Sequence, residues 1–339
     1  VSQLAAIPGT IAAIQLHAML DVLRAMGVDV ARVLARAGLS AEEVRDPQAR
    51  LQAAFELAVW DAAEQVTGDP MIGLRIAEDI RIGALGAYEY LLRNSPTMRS
   101  AIERAGRFER VLDDLTQITL VEDDEQAVLR FWREGGYPHP ARGIECTFSV
   151  IVRICQELVP SQRALEVRFR HRAPVDAAPY VRHFRCAVRF GAACDEVVFP
   201  CAVLDLPMLL ADPLLGHVLE EHMQRLLDTL PTEDPFVRRA RGALLRALAD
   251  ASASLPGLAA ALRVSPRTLR RRLDEHGTSY KALLDELRRE LAYHCIDTSD
   301  EPVDRIANRL GFTEPSTFYR AFKRWSGTTP ALYRDRKRD

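Results

Sequence analysis

The stretch "GFTEPSTFYRAFKRWSGTTP", Gly311 to Pro330, decides the fold of the C-terminal part of the chain. Pro315 suits the first turn of a helix, where a missing N–H costs little. Behind it Phe318, Phe322 and Trp325 recur at i, i+4 and i+7, the spacing of one helix face, and that face buries. Ser316, Tyr319, Arg320 and Lys323 share the opposite face. The aromatics are therefore core, and the polar and basic row is free to meet a partner.

The same unit occurs once before. "PRTLRRRL" (Pro266–Leu273) aligns with "PSTFYRAF" (Pro315–Phe322), 49 residues earlier. Proline, threonine, an apolar residue, arginine and a second apolar residue match in register. Each copy follows a short alanine-bearing segment, "LAAAL" at Leu258–Leu262 and "IANRL" at Ile306–Leu310. Ala259 and Ala307 are small, as a close helix crossing requires. Ser265 and Thr313 are candidate N-caps. Leu269 and Leu273 bury, while Arg267, Arg270 and Arg271 face out, with Thr268 on the same helix. A helix fits the major groove of B-DNA, and arginine can bind guanine O6 and N7 bidentately. Two matching basic helices behind matching turns imply double-stranded DNA as partner. Between them Leu283, Leu287 and Leu291 stripe a continuous helix, Ser279–Ile296, of about 27 Å at 1.5 Å per residue. Pro330 starts a last helix whose Tyr333 packs inward.

Charge divides the chain in the same place. Residues 237–339 carry 21 Lys and Arg against 13 Asp and Glu, a net of +8, and the first 236 residues carry −10. A basic end on an acidic body suits a polyanion-binding module. With 339 residues, 48% of them hydrophobic, the chain can bury two domain cores. The junction reads as "LDTLPTEDPFVRR", where Pro231 and Pro235 discourage helix. Before it Leu215, Leu219, Met223, Leu226 and Leu230 stripe a helix that either packs on its own domain or forms a dimer. Six cysteines form no CxxC pair and imply reduced, buried thiols. No metal, cofactor or catalytic motif is legible, so no enzyme activity is expected. The N-terminus lacks the basic start of a signal peptide, and no apolar run reaches membrane-spanning length; a cytoplasmic location is expected.

The residues from about Leu255 to Arg334 resemble the DNA-binding domain of the AraC/XylS family of bacterial transcription regulators. "RIANRLGFTEPSTFYRAFKRWSGTTPALYR" carries the resemblance most specifically. It implies seven helices, two helix-turn-helix units (about 255–273 and 302–325) and a connecting helix. Pro302 departs from the usual serine or threonine cap, and His294, Cys295 and Ile296 from the usual end of the connecting helix. The candidate DNA contacts are Arg267, Thr268, Arg270, Arg271, Ser316, Tyr319, Arg320 and Lys323. Residues 67–108 and 167–199 resemble the arabinose-binding-type sensor domain of the ornithine-utilisation-regulator branch. The resemblance implies promoter DNA, RNA polymerase and a small-molecule effector as partners, and a homodimer.

Read from its residues, the N-terminal half is α+β. Helical spacing covers 10–36, 52–66, 97–113 and 141–158. "QITLVEDDEQAVLRFWRE" alternates and turns at Asp123-Asp124, as a hairpin does. In "LEVRFRHR", Leu165, Val167 and Phe169 should point in. "IGALGA" lacks the spacing and lysine of a phosphate loop, so its glycines serve turns or packing. The expected organisation is an α+β sensor and dimerisation domain (1–230), a linker (231–236) and an all-α DNA-binding domain (237–339) with two helix-turn-helix units joined by a long helix. Ligand residues are not legible; His17, His139, His171 and His183 are candidates for the pocket wall. Two alternatives stay open: a regulator controlled by a partner protein without a ligand, and a DNA-repair enzyme using this module for targeting.

Overall fold

The structure, a computed structural model, describes residues 9–133, 137–159, 163–230, 234–249, 253–298, 301–312 and 314–336. The chain divides into two compact units, Gly9–Pro231 and Thr232–Asp339.

The N-terminal unit opens with β1 (Thr10–Ala12), α1 (Ala13–Ala25), α2 (Val30–Ala37), β2 (Arg50–Gln52) and α3 (Ala54–Thr67). Then come α4 (Ile72–Asp79), α5 (Ala87–Arg93) and α6 (Met98–Phe108). A hairpin of β3 (Thr116–Glu122) and β4 (Gln126–Arg133) leads to α7 (Ala141–Leu158) and β5 (Glu166–Phe169). The unit ends with α8 (Ala178–Phe184), β6 (Ala187–Phe190), β7 (Asp195–Pro200) and α9 (Pro213–Thr229). β1 and β2 pair by themselves, and the main sheet has the order β3-β4-β7-β5-β6. Its pairs are antiparallel except β5 with β6.

α7 packs on the main sheet, with α6 and α8 joining the same core. Ile144, Phe148, Val152 and Cys155 recur at helical spacing along α7 and pack into one core with Leu129 and Phe131 of β4 and Val167 and Phe169 of β5. Phe148 sits 5.4 Å from Phe131 and 5.5 Å from Phe169, ring centre to ring centre. Strand alternation turns Ala127, Leu129 and Phe131 to the buried face, and the fourth residue of that row is Arg133. α4 crosses α7 closely at Gly73, where a Cβ would lie 2.3 Å from the Arg142 carbonyl oxygen.

The α+β class read from the sequence is observed, and several boundaries move. The span 10–36 is two helices after a short strand, broken where Gly27 takes φ +76°. The span 97–113 is helical to Phe108 and ends in a single 3-10 turn, Glu109–Val111. The hairpin and α7 lie where the pattern put them. In β5 Val167 and Phe169 point in, whereas Leu165 precedes the strand and is exposed. Gly83 and Gly86 take positive φ in the turn before α5, a role only a residue without Cβ fills easily.

The C-terminal unit contains seven helices among the described residues: α10 (Pro235–Ala249), α11 (Leu255–Ala261), α12 (Pro266–Glu275), α13 (Tyr280–Thr298), α14 (Val303–Arg309), α15 (Pro315–Ser326) and α16 (Pro330–Arg336). Pro235 and Phe236, assigned to the linker from sequence, form the first turn of α10, and Phe236 is buried; residues 231–233 lie outside the described residues. The turns of the two units match in their backbone hydrogen bonds. The turn after α11 is closed by Arg263 N–H donating to the Ala260 carbonyl and Val264 N–H to Ala259, both at 3.0 Å. After α14, Gly311 donates to Asn308 and Phe312 to Ala307, again at 3.0 Å. Arg263 and Gly311 occupy the same left-handed position, at φ +55° and +71°. Ser265 caps α12 by accepting from the Thr268 N–H at 3.1 Å. Glu314 holds the cap position of α15 without a side-chain bond, and Thr313 lies outside the described residues.

Candidate nucleic-acid interface and buried cavity

The second helix of each unit is anchored through one face. On α12 Leu269 and Leu273 are fully buried, and on α15 Phe318 and Phe322 are. Phe322 lies 5.5 Å from the Tyr333 ring of α16, and Trp325 is half-buried with its indole N–H donating to Asp285 of α13 at 3.2 Å. With those faces held, Arg267, Arg270 and Arg271 are exposed together on α12, and Ser316, Arg320 and Lys323 on α15. Arg267, Arg270 and Lys323 make no ion pair among the described residues, so their charge is free for a polyanion. Arg271 is paired with Glu275 at 3.2 Å, one turn along its own exposed helix, a contact worth little in water. Arg320 leans on the Thr317 hydroxyl at 3.3 Å. Two expected contacts are placed differently. The Thr268 hydroxyl is engaged with the Ser265 cap at 2.8 Å, and Tyr319 is half-buried against Phe318 instead of fully outward. Arg324, which the sequence reading left out, is exposed but held by Asp285 at 2.6 Å.

A second feature lies inside the N-terminal unit. A cavity of about 230 Å³ opens between α1, α6, the β3–β4 hairpin and α7. Its walls are largely apolar, with Met19, Ile102, Ile118, Phe131 and Ile151 among them. One end is polar. Arg133, only 1% exposed, donates from Nη2 to Asp113 at 2.8 Å and to Glu56. Thr116 donates to Asp113 at 2.6 Å. Burial alone would raise the Asp113 carboxyl; the Arg133 guanidinium, the Thr116 hydroxyl and the Leu115 N–H outweigh it and hold the group below its usual range. Glu109, which accepts from the Tyr88 hydroxyl, is pushed up to about 8 by burial, with Asp113 and Glu56 adding to the effect. Nη1 of Arg133 is buried with no hydrogen-bond partner among the described residues. Of the four histidines considered from sequence, His139 lines the cavity, 3.1 Å from Asp195. His17 instead meets the Val44 carbonyl, His171 packs between Phe169 and Phe190, and His183 faces Glu78.

Comparison with known proteins agrees with both halves. Residues 27–208 match the arabinose-binding domain found at the N-terminus of AraC transcription regulators, and residues 258–336 match a helix-turn-helix domain. The chain belongs to the AraC family. The ornithine utilization regulator of Pseudomonas aeruginosa is 30% identical over 323 residues, covering 94% of each chain. The regulator VirS of Mycobacterium tuberculosis is 27% identical over 318 residues, 93% of each. The crystal structure of the transcriptional regulator CdpR from Pseudomonas aeruginosa is 20% identical, covers 95% of this chain and 98% of that one, and superposes with a TM-score of 0.46.

This AraC-family protein is thus a DNA-binding transcription regulator, like the regulators it matches over nearly their whole length. Among the described residues no His, Cys, Asp and Glu group is arranged to hold a metal, and no helix is long and apolar enough to cross a membrane. The acidic cavity residues escaped the sequence reading for a simple reason. Glu56, Glu109 with Asp113, and Arg133 come from three different segments. The one local signal was an arginine ending an otherwise apolar strand row.

Proposed function

We propose that the protein is an effector-responsive, sequence-specific regulator in which α12 and α15 of one monomer read two successive major grooves. The observation that carries this reading is the pair of exposed basic rows on two helices that follow matching turns and bury matching faces. Between them in the chain runs α13, whose 19 residues span about 28 Å. Successive major grooves on one face of B-DNA lie about 34 Å apart. The widths of the recognition helices at its ends bridge the difference. The half-site is then asymmetric and needs no palindrome. Arg267, Arg271 and Arg320 contact base edges or the groove floor, and Lys323 contacts phosphate.

The cavity in the N-terminal unit is the effector site in this reading. It is mostly apolar and carries convergent polar groups at one end, as ligand sites do. The protein acts in the cytoplasm as a homodimer, on promoter DNA and with RNA polymerase. The stripe on α9 expected to form either a core or a dimer is core at Leu219, Met223 and Leu226. Leu215 of that stripe is exposed, with Leu214 and Val218 beside it on α9 and Leu209 and Leu210 just before the helix, and these residues are the proposed dimer surface. The experiment is a spacing series. A bound sequence is selected from random DNA, and five base pairs are inserted between its two protected segments. The insertion turns one groove to the far side and should cost all the affinity contributed by one helix. Unchanged affinity would reject the two-groove reading.

A further inference from the structure

The polar end of the cavity holds more negative charge than it can balance. Four acids line it, Glu56, Glu89, Glu109 and Asp113, and Arg133 is the one Lys or Arg among the described lining residues. Glu89 is accounted for: Arg93 meets it at 2.8 Å, and the Gly83 N–H donates to it at 3.0 Å. His139 is turned to Asp195, a further acid behind the wall. That leaves Glu56, Glu109 and Asp113 around a single guanidinium. Buried carboxylates without a matching cation are costly, so one of them holds its proton. Glu109 is that group, and its proton stands where a cation is missing. A carboxylate ligand would add a third anion beside Glu56 and Asp113. A cationic ligand would supply the missing charge and let Glu109 ionise.

A second observation is independent of the charge count. Arg133 is buried, lines the cavity and leaves Nη1 without a partner among the described residues. An unpaired buried donor of a charged group is expensive, so an acceptor on the bound molecule fits there. The size follows from the volume. A cavity of roughly 150 Å³ holds benzene, so about 230 Å³ suits roughly nine or ten non-hydrogen atoms. Resting on the reading of this cavity as the effector site, we propose that its ligand is a small, largely apolar amine, bound as a cation against Glu109, with an oxygen a few bonds away accepting from Arg133.

The test uses the full chain and three probes of one shape: 2-phenylethylamine, 2-phenylethanol and phenylacetate. Binding is followed by calorimetry and by thermal shift at pH 7. The amine should bind at least tenfold tighter than phenylacetate and release protons, so its heat changes with the ionisation enthalpy of the buffer. 2-Amino-1-phenylethanol, which adds the oxygen, should bind tighter still. In Glu109→Gln the amine should lose at least tenfold in affinity while 2-phenylethanol is unchanged, a difference that a mere folding defect does not produce. Phenylacetate binding as tightly as the amine, or an amine indifferent to Glu109→Gln, overturns the proposal. Ile151→Phe, which narrows the cavity, separates the two readings. If the alcohol or the acid binds and is lost in this variant, the cavity is a ligand site and only the amine assignment falls. Binding of any probe that survives Ile151→Phe, or no binding by all three at millimolar concentration, overturns the cavity reading and the amine with it.

Discussion

Replacing Arg133 by Met tests whether the polar end of the cavity is a linked charge system. Arg133 is buried, and its Nη2 serves both Asp113 and Glu56. Met roughly conserves length and packing on the Leu129–Phe131 face but leaves two carboxylates without their cation. Breaking a buried pair by removing one partner costs about 3–5 kcal/mol. For a unit of this size each kcal/mol moves the melting temperature by about 2–4 °C, so a drop of about 6–20 °C is expected at pH 7. The pH dependence has a definite sign. In the native protein Asp113 is held below its unfolded value, so its contribution is present above about pH 4 and fades as pH falls through the folded value. Without Arg133, burial dominates and the carboxyl is raised instead. The variant then loses stability as pH rises above about 4, so its deficit is greatest at neutral pH and shrinks toward pH 4. Scanning calorimetry of the full chain from pH 4 to 8 measures this. A drop below about 3 °C at pH 7 would refute the reasoning, as would a deficit of equal size at pH 4.

The Glu109 carboxyl, raised to about 8 by burial, opposes folding increasingly as pH rises from about 4 toward 8. Glu109→Gln keeps an acceptor for Tyr88 and should raise the melting temperature at pH 8 while changing little near pH 4. The two repeat turns make a reciprocal pair for chemical denaturation. Arg263→Gly relieves about 1–2 kcal/mol of left-handed backbone strain, less about 0.4–1 kcal/mol of unfolded-state freedom, and should be neutral to mildly stabilising. Gly311→Ala should destabilise by about 1–2 kcal/mol, because its Cβ meets Arg288 Nη2 at 3.3 Å in a left-handed residue. On DNA, Arg271→Ala should cost about 1–3 kcal/mol at its cognate site and relax preference at particular bases. Lys323→Ala should weaken cognate and random DNA alike and flatten the salt dependence. Competition binding at two salt concentrations separates the pair, and equal losses on both DNAs would reject the division.

The C-terminal unit was legible in its sequence because it is local and repeated. Proline at the helix start, alanine at the crossing and paired apolar residues at i, i+4 fix each turn within twenty residues, and the second copy checks the first. Thr268 and Tyr319 there are engaged locally, by a cap and a ring contact that helical spacing does not encode. In the N-terminal unit, periodicity found α7 and the β3–β4 hairpin, whose apolar rows are long. It missed the break at Gly27, where one glycine with positive φ splits a continuous apolar pattern. The cavity was not legible at all. Its polar end assembles Glu56 from α3, Glu109 and Asp113 from the turn after α6, and Arg133 from β4, through pairing that no single segment records.

The central claim, that one monomer reads two grooves through α12 and α15, is tested most directly by hydroxyl-radical footprinting with paired variants. The full-length protein should protect two segments about 10.5 base pairs apart on one face of the DNA. Arg267→Ala with Arg271→Ala should remove protection at one segment, and Arg320→Ala with Lys323→Ala at the other. Protection of a single segment, or loss of both segments with either pair, would contradict the account.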